Sequence, residues 1–70
     1  MTTPFRISLA AARVNSGLTQ AELGEKLKVS KSTVINWEKG DSEPTMTQLR
    51  NISELSGIPM DYIFVPEESN

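Results

Sequence analysis

The sequence predicts an all-α fold, a compact five-helix domain, and three observations predict it. Apolar residues recur three or four positions apart in short windows: Phe5, Leu9 and Ala12; Leu23 and Leu27; Val34 and Trp37; Leu49, Ile52 and Leu55. Capping residues precede these windows and Gly17, Gly40 and Gly57 follow them. The chain has 70 residues, 37% of them hydrophobic, with no Cys and no His. A core this small, without disulfide or zinc staples, must come from well-packed helices or self-association.

The elements follow in order. Thr3 and Pro4 have the pattern of an N-cap followed by proline at the first helical position, which starts helix 1 there, and Gly17 ends it after Ser16. Thr19 with Glu22 three residues on forms a capping box for helix 2, whose apolar pair is Leu23 and Leu27. Ser30 caps a third helix, Lys31 to Lys39, closed by Gly40. Only a few residues separate helices 2 and 3, so they must cross steeply, as in a helix-turn-helix over about 19–39. Gly24 fits that crossing, because a side chain there would force the two backbones apart. Asp41 to Glu43 form a polar loop before Pro44, and Thr45 with Gln48 makes a second capping box for helix 4, which runs to about Ser56. Gly57 terminates it, and Ile58 turns inward. Pro59 opens a fifth, short helix with Met60, Ile63 and Phe64, which Pro66 stops. Residues 1–66 thus form one domain, and 67–70 an acidic tail.

Composition narrows the function classes. Without Cys or His, ordinary metal sites are disfavoured, so no metal and no cofactor is expected. The longest apolar run, Leu9 to Ala12, is far short of the roughly 20 residues of a membrane span, and no charged-then-apolar leader opens the chain; a cytoplasmic protein is expected. The net charge of −2 is unevenly spread. Residues 1–39 carry Arg6, Arg13, Lys26, Lys28, Lys31 and Lys39 against Glu22, Glu25 and Glu38. Residues 40–70 carry only Arg50 against Asp41, Glu43, Glu54, Asp61, Glu67 and Glu68. This polarity suggests a basic face for an anionic partner and an acidic end held away from it.

Helix 3 is the candidate for that face. At about 100° per residue, Val34 and Trp37 share its inner side with Ser30 beside them, while Ser32, Ile35, Asn36 and Lys39 lie opposite and Lys31 projects from the first turn. Ser and Asn can exchange hydrogen bonds with base edges, Lys suits guanine acceptors or phosphate, and Ile35 can meet either a thymine methyl or a partner protein. Glu38 lies nearer the apolar side and needs a cation or donors; Arg13 is the candidate partner, in a partly buried pair joining helices 1 and 3.

The stretch Thr19-Gln20-Ala21-Glu22-Leu23-Gly24, then Val29-Ser30-Lys31-Ser32-Thr33-Val34, then Trp37-Glu38-Lys39-Gly40 and Pro44, resembles the Cro-type phage-repressor helix-turn-helix family, with a lambda-repressor-like DNA-binding domain. The likeness continues through Leu49, Ile52, Leu55, Gly57, Ile58, Asp61 and Ile63 and covers about residues 5–64. It implies base-reading positions at Lys31, Ser32 and Asn36, phosphate contacts at Gln20 and Lys39, and an interhelical ion pair between Arg13 and Glu38. Two departures stand out. Lys28 occupies a left-handed turn position where the family usually has glycine, and Lys31 stands where the best-known phage members have glutamine, which turns the expected preference toward guanine.

The expected function is sequence-specific recognition of double-stranded DNA by a small phage-type or prokaryotic regulator, acting by operator occupancy with no catalysis and no small-molecule substrate. One such domain touches few bases, so a homodimer on a near-palindromic operator is expected, with 60–65 as the candidate contact; Tyr62 and Phe64 either supply its aromatic anchors or simply close the core. The rival is a protein-interaction module on the same fold, an antitoxin or antirepressor, which the acidic pI suits. An enzyme built on Asp41 and Glu43, or Glu67 and Glu68, is disfavoured, since no histidine or nucleophile accompanies them.

Overall fold

The computed structural model describes residues 6–65. In chain order it contains strand β1 (Ile7–Ser8), helices α1 (Leu9–Asn15), α2 (Gln20–Leu27), α3 (Lys31–Lys39) and α4 (Met46–Ser56), a single 3-10 turn (Met60–Tyr62) and strand β2 (Ile63–Phe64).

Each α-helix starts on a hydroxyl. The side chains of Ser8, Thr19, Ser30 and Thr45 accept from the backbone N–H three residues on, at Ala11, Glu22, Thr33 and Gln48. Such a cap contributes about 1 kcal/mol, so together they offset much of the cost of starting four short helices. Both capping boxes close, with Glu22 and Gln48 reaching back to the N–H groups of Thr19 and Thr45. At the other ends Gly40 and Gly57 adopt the left-handed conformation that stops α3 and α4.

Two expectations are corrected. The helix that carries Leu9 and Ala12 begins at Leu9. Thr3, Pro4 and Phe5 lie outside the described residues, but Ile7 and Ser8 are extended, and Ser8 is the cap that α1 uses. Among the described residues there are also four α-helices rather than five. After Pro59 only one 3-10 turn forms, and Ile63 and Phe64 leave it as a strand that pairs in parallel with β1, Ile7 opposite Ile63 and Ser8 opposite Phe64. The β-branched Ile7 and Ile63 favour the extended pairing over another helical turn. The expected stop at Pro66 and the acidic tail at 67–70 also lie outside the described residues.

The core gathers Leu9 and Ala12 of α1, Leu23 of α2, Val34 and Trp37 of α3, Ile52 of α4, and Ile58 and Ile63 near the end of the chain. Leu55, assigned with Leu49 and Ile52 to one face of helix 4, is instead exposed. Leu49 and Leu27 are half-buried against the core. Val34 and Trp37 fix the inner side of α3 and thereby set which residues face outward.

Candidate nucleic-acid interface

The crossing of α2 and α3 depends on Gly24. A Cβ there would sit 2.7 Å from the Val29 carbonyl oxygen, a backbone atom with little room to move. The Val29 N–H in turn donates to the Gly24 carbonyl at 2.8 Å, which locks the short connection onto α2. Lys28 makes the turn in the left-handed conformation, φ 61° and ψ 41°, and is the one non-glycine residue with positive φ among the described residues. For a side-chain-bearing residue this costs about 1–2 kcal/mol relative to a right-handed conformation, a cost glycine escapes.

Beyond that turn, Lys31, Ser32, Asn36 and Lys39 are exposed, while Val34 and Trp37 are buried. Two details differ from the angular reading. Ile35 is half-buried, so it presents only part of an apolar side chain outward. Ser30 is exposed rather than packed beside Val34, its hydroxyl spent on capping Thr33. Lys39 lies 3.7 Å from the Asp41 carboxylate, with both side chains more than half exposed, a geometry that contributes little to stability. The nine residues of α3 extend over about 13 Å, comparable to the roughly 12 Å width of a DNA major groove.

Besides the core packing of Val34 and Trp37, a hydrogen-bonded node ties this helix to α1 and α2. Arg13 Nε donates to Glu38 Oε2 at 2.5 Å and Arg13 Nη2 to Glu38 Oε1 at 3.3 Å. Arg13 Nη1 donates to the Leu18 carbonyl at 2.9 Å, and Gln20 Nε2 to Glu38 Oε1 at 3.0 Å. The side chains of Arg13 and Glu38 are 14% and 9% exposed, so the pair is largely out of water and its remaining polar atoms need these added partners. Glu38 is the sole carboxylate on α3, and Arg13 neutralises it, leaving the exposed face of that helix cationic.

Sequence reasoning did not find the bond from Gln20. Its one signal was position: Gln20 is the first residue of α2, next to the end of α3 that carries Glu38. The capping box engages the N–H groups of Thr19 and Glu22, and one of the two amide hydrogens of Gln20 goes to Glu38. The other amide hydrogen remains directed away from that bond, at a helix N-terminus whose dipole favours an anion.

In the 60–65 segment, Ile63 is buried, Phe64 is half-buried with the Arg6 guanidinium 4.6 Å from its ring centroid, and Tyr62 is 41% exposed. Much of this segment therefore closes the domain's own core. Among the described residues no helix is long and apolar enough to cross a membrane, and no three metal-ligating side chains converge.

The comparisons with known proteins agree with this geometry. A helix-turn-helix family model matches residues 9–63. The chain is 34% identical over 64 residues to the HTH-type transcriptional activator BcrR of Enterococcus faecalis, covering 91% of this chain and 31% of that protein. It is 36% identical over 56 residues to an uncharacterised HTH-type transcriptional regulator of Methanocaldococcus jannaschii, covering 80% of this chain and 85% of the relative. It is 32% identical over 60 residues to the HTH-type transcriptional regulator ImmR of Bacillus subtilis, covering 86% and 47%. The chain thus spans less than half the length of two of these three relatives. No solved structure gives a significant match. With a family model over most of its length and regulators of this kind among its relatives, the chain belongs to the Cro/C1-type helix-turn-helix family of transcription regulators.

Proposed function

We propose that the chain binds double-stranded DNA sequence-specifically and regulates transcription from the bound site. The observation that carries this reading is the exposed face of α3, where Lys31, Ser32 and Asn36 stand outward from a helix whose opposite side is anchored by Val34 and Trp37. In this reading α3 enters the major groove and α2 lies across the backbone. Lys31, Ser32 and Asn36 contact base edges, with Lys31 suited to guanine, and the exposed part of Ile35 meets a thymine methyl. The free amide hydrogen of Gln20 and the ammonium of Lys39 serve phosphates, while Arg13 and Glu38 hold the helices in register.

Residues 1–66 form the DNA-binding unit and 67–70 an acidic tail. A homodimer on a near-palindromic operator, with half-sites roughly 34 Å apart, supplies the contacts that one domain lacks. The 60–65 segment remains the candidate contact, with Tyr62 as its more exposed aromatic. Operator occupancy that blocks polymerase is the simplest mode of action, in the cytoplasm or nucleoid of a bacterial host. The Enterococcus relative is named an activator, which favours activation as the second mode. The rival reading, an antitoxin or antirepressor module that binds a protein, is favoured by the acidic residues of the second half of the chain and the pI near 4.9.

Selection from random duplexes by gel shift tests this. Enrichment of a common motif is expected, and the Lys31→Ala/Ser32→Ala/Asn36→Ala variant should lose that selectivity while its thermal midpoint stays nearly unchanged. Retention of the same motif by the triple variant would overturn the assignment of the reading face.

A further inference from the structure

We infer that Lys28, the left-handed residue in the turn between α2 and α3, is a phosphate anchor for the bound duplex; this deepens the DNA-binding reading and rests on it. The turn itself does not call for a lysine. Its backbone conformation, φ 61° and ψ 41°, is one that glycine adopts freely and that Asn tolerates better than other side chains. No side-chain partner offsets the strain: Lys28 is exposed, and among the described residues it makes no ion pair or side-chain hydrogen bond. A strained residue kept in place invites the question of what its side chain does elsewhere.

Its position supplies the answer. Lys28 lies two residues before Ser30, the N-cap of α3, so its Cα is within about 7 Å of that cap. Lys31, also exposed and without an ion pair among the described residues, follows the cap directly. The two cations flank the end of α3 that leads into the groove when a helix-turn-helix docks. In this arrangement Lys31 serves the bases and Lys28 the adjoining phosphate strand. No carboxylate lies between them: residues 29–30 are Val and Ser.

The competing account is local. A cation at the C-terminal end of α2 is favoured by the helix dipole, and in that case Lys28 serves the fold rather than the duplex. The two accounts differ in what replacement does. Duplex affinity would be measured as a function of salt for the wild type and the Lys28→Gly, Lys28→Asn and Lys28→Arg variants, alongside thermal midpoints. A phosphate anchor predicts that the Gly and Asn variants keep or raise the midpoint. They should bind specific and random duplexes about fivefold more weakly near 0.15 M salt, with the slope of log K against log salt reduced by about 0.9. Lys28→Arg should retain the wild-type slope. If the wild type binds with strong salt dependence and Lys28→Gly leaves slope and affinity unchanged, the role of Lys28 is overturned and the DNA reading stands. If the wild type shows no salt-dependent duplex binding, both fall.

Discussion

Replacing Glu38 by alanine removes the acceptor on which three donors converge. Arg13 loses its bonds from Nε and Nη2, and Gln20 loses the bond from its amide, while Arg13 keeps only Nη1 on the Leu18 carbonyl. Breaking a fully buried pair from one side costs about 3–5 kcal/mol, because the surviving charge is left desolvated. Arg13 is 14% exposed and retains the Leu18 carbonyl, which lowers the expectation to about 2–4 kcal/mol. A domain of this length has a total stability of only about 4–10 kcal/mol, so the loss is a large share of it. The corresponding fall in thermal midpoint is about 8–32 °C, at about 4–8 °C per kcal/mol for a small domain. Thermal and urea unfolding, followed through the emission of the single, buried Trp37, would measure it. The companion variant Arg13→Met/Glu38→Leu removes both charges and should recover most of the loss. A midpoint that drops by less than about 4 °C in Glu38→Ala would refute the reasoning. So would strictly additive losses from Arg13→Ala and Glu38→Ala in a double-mutant cycle, since a coupled pair requires non-additivity.

Two further predictions concern the site. Gly24→Ala places a methyl 2.7 Å from the Val29 carbonyl oxygen, and a urea titration should show a loss of about 1–3 kcal/mol, against the usual gain from Gly to Ala in a helix. Asp41→Asn releases Lys39 from its 3.7 Å partner and removes a negative charge beside α3, so duplex affinity at low salt should rise while stability, read by thermal unfolding, changes by no more than about 0.5 kcal/mol.

The helix pair was legible because its information is local. Thr19 with Glu22, Ser30 before Lys31, Thr45 with Gln48 and the glycines at 40 and 57 act within one helical turn, and the structure uses each of them where the spacing put it. The segments around Ile7 and Ile63 are not legible, for the opposite reason. Ile7 pairs with Ile63, so nothing within ten residues of Ile7 announces a strand, and a two-residue ladder has no periodicity to detect. Thr3 and Pro4 offered a locally plausible cap, whereas the cap that α1 uses, Ser8, lies between two apolar residues and looks like helix interior. Leu55 and Ile35 show the limit of angular patterning: the angle about a helix axis does not say how far a neighbouring element extends over that face. The link from Gln20 to Glu38 is tertiary, and no spacing rule reaches it.

The parallel ladder between β1 and β2 has a consequence for how the domain opens. Joining Ile7 to Ile63 closes a loop around every helix in the fold, with an entropic penalty whose length-dependent part alone is about 3.6 kcal/mol. Two strands of two residues cannot repay that by themselves, so the clasp shuts only after the helices have drawn the ends together. It is also the place where the folded chain should fray first, leaving the crossed pair of helices intact beneath it.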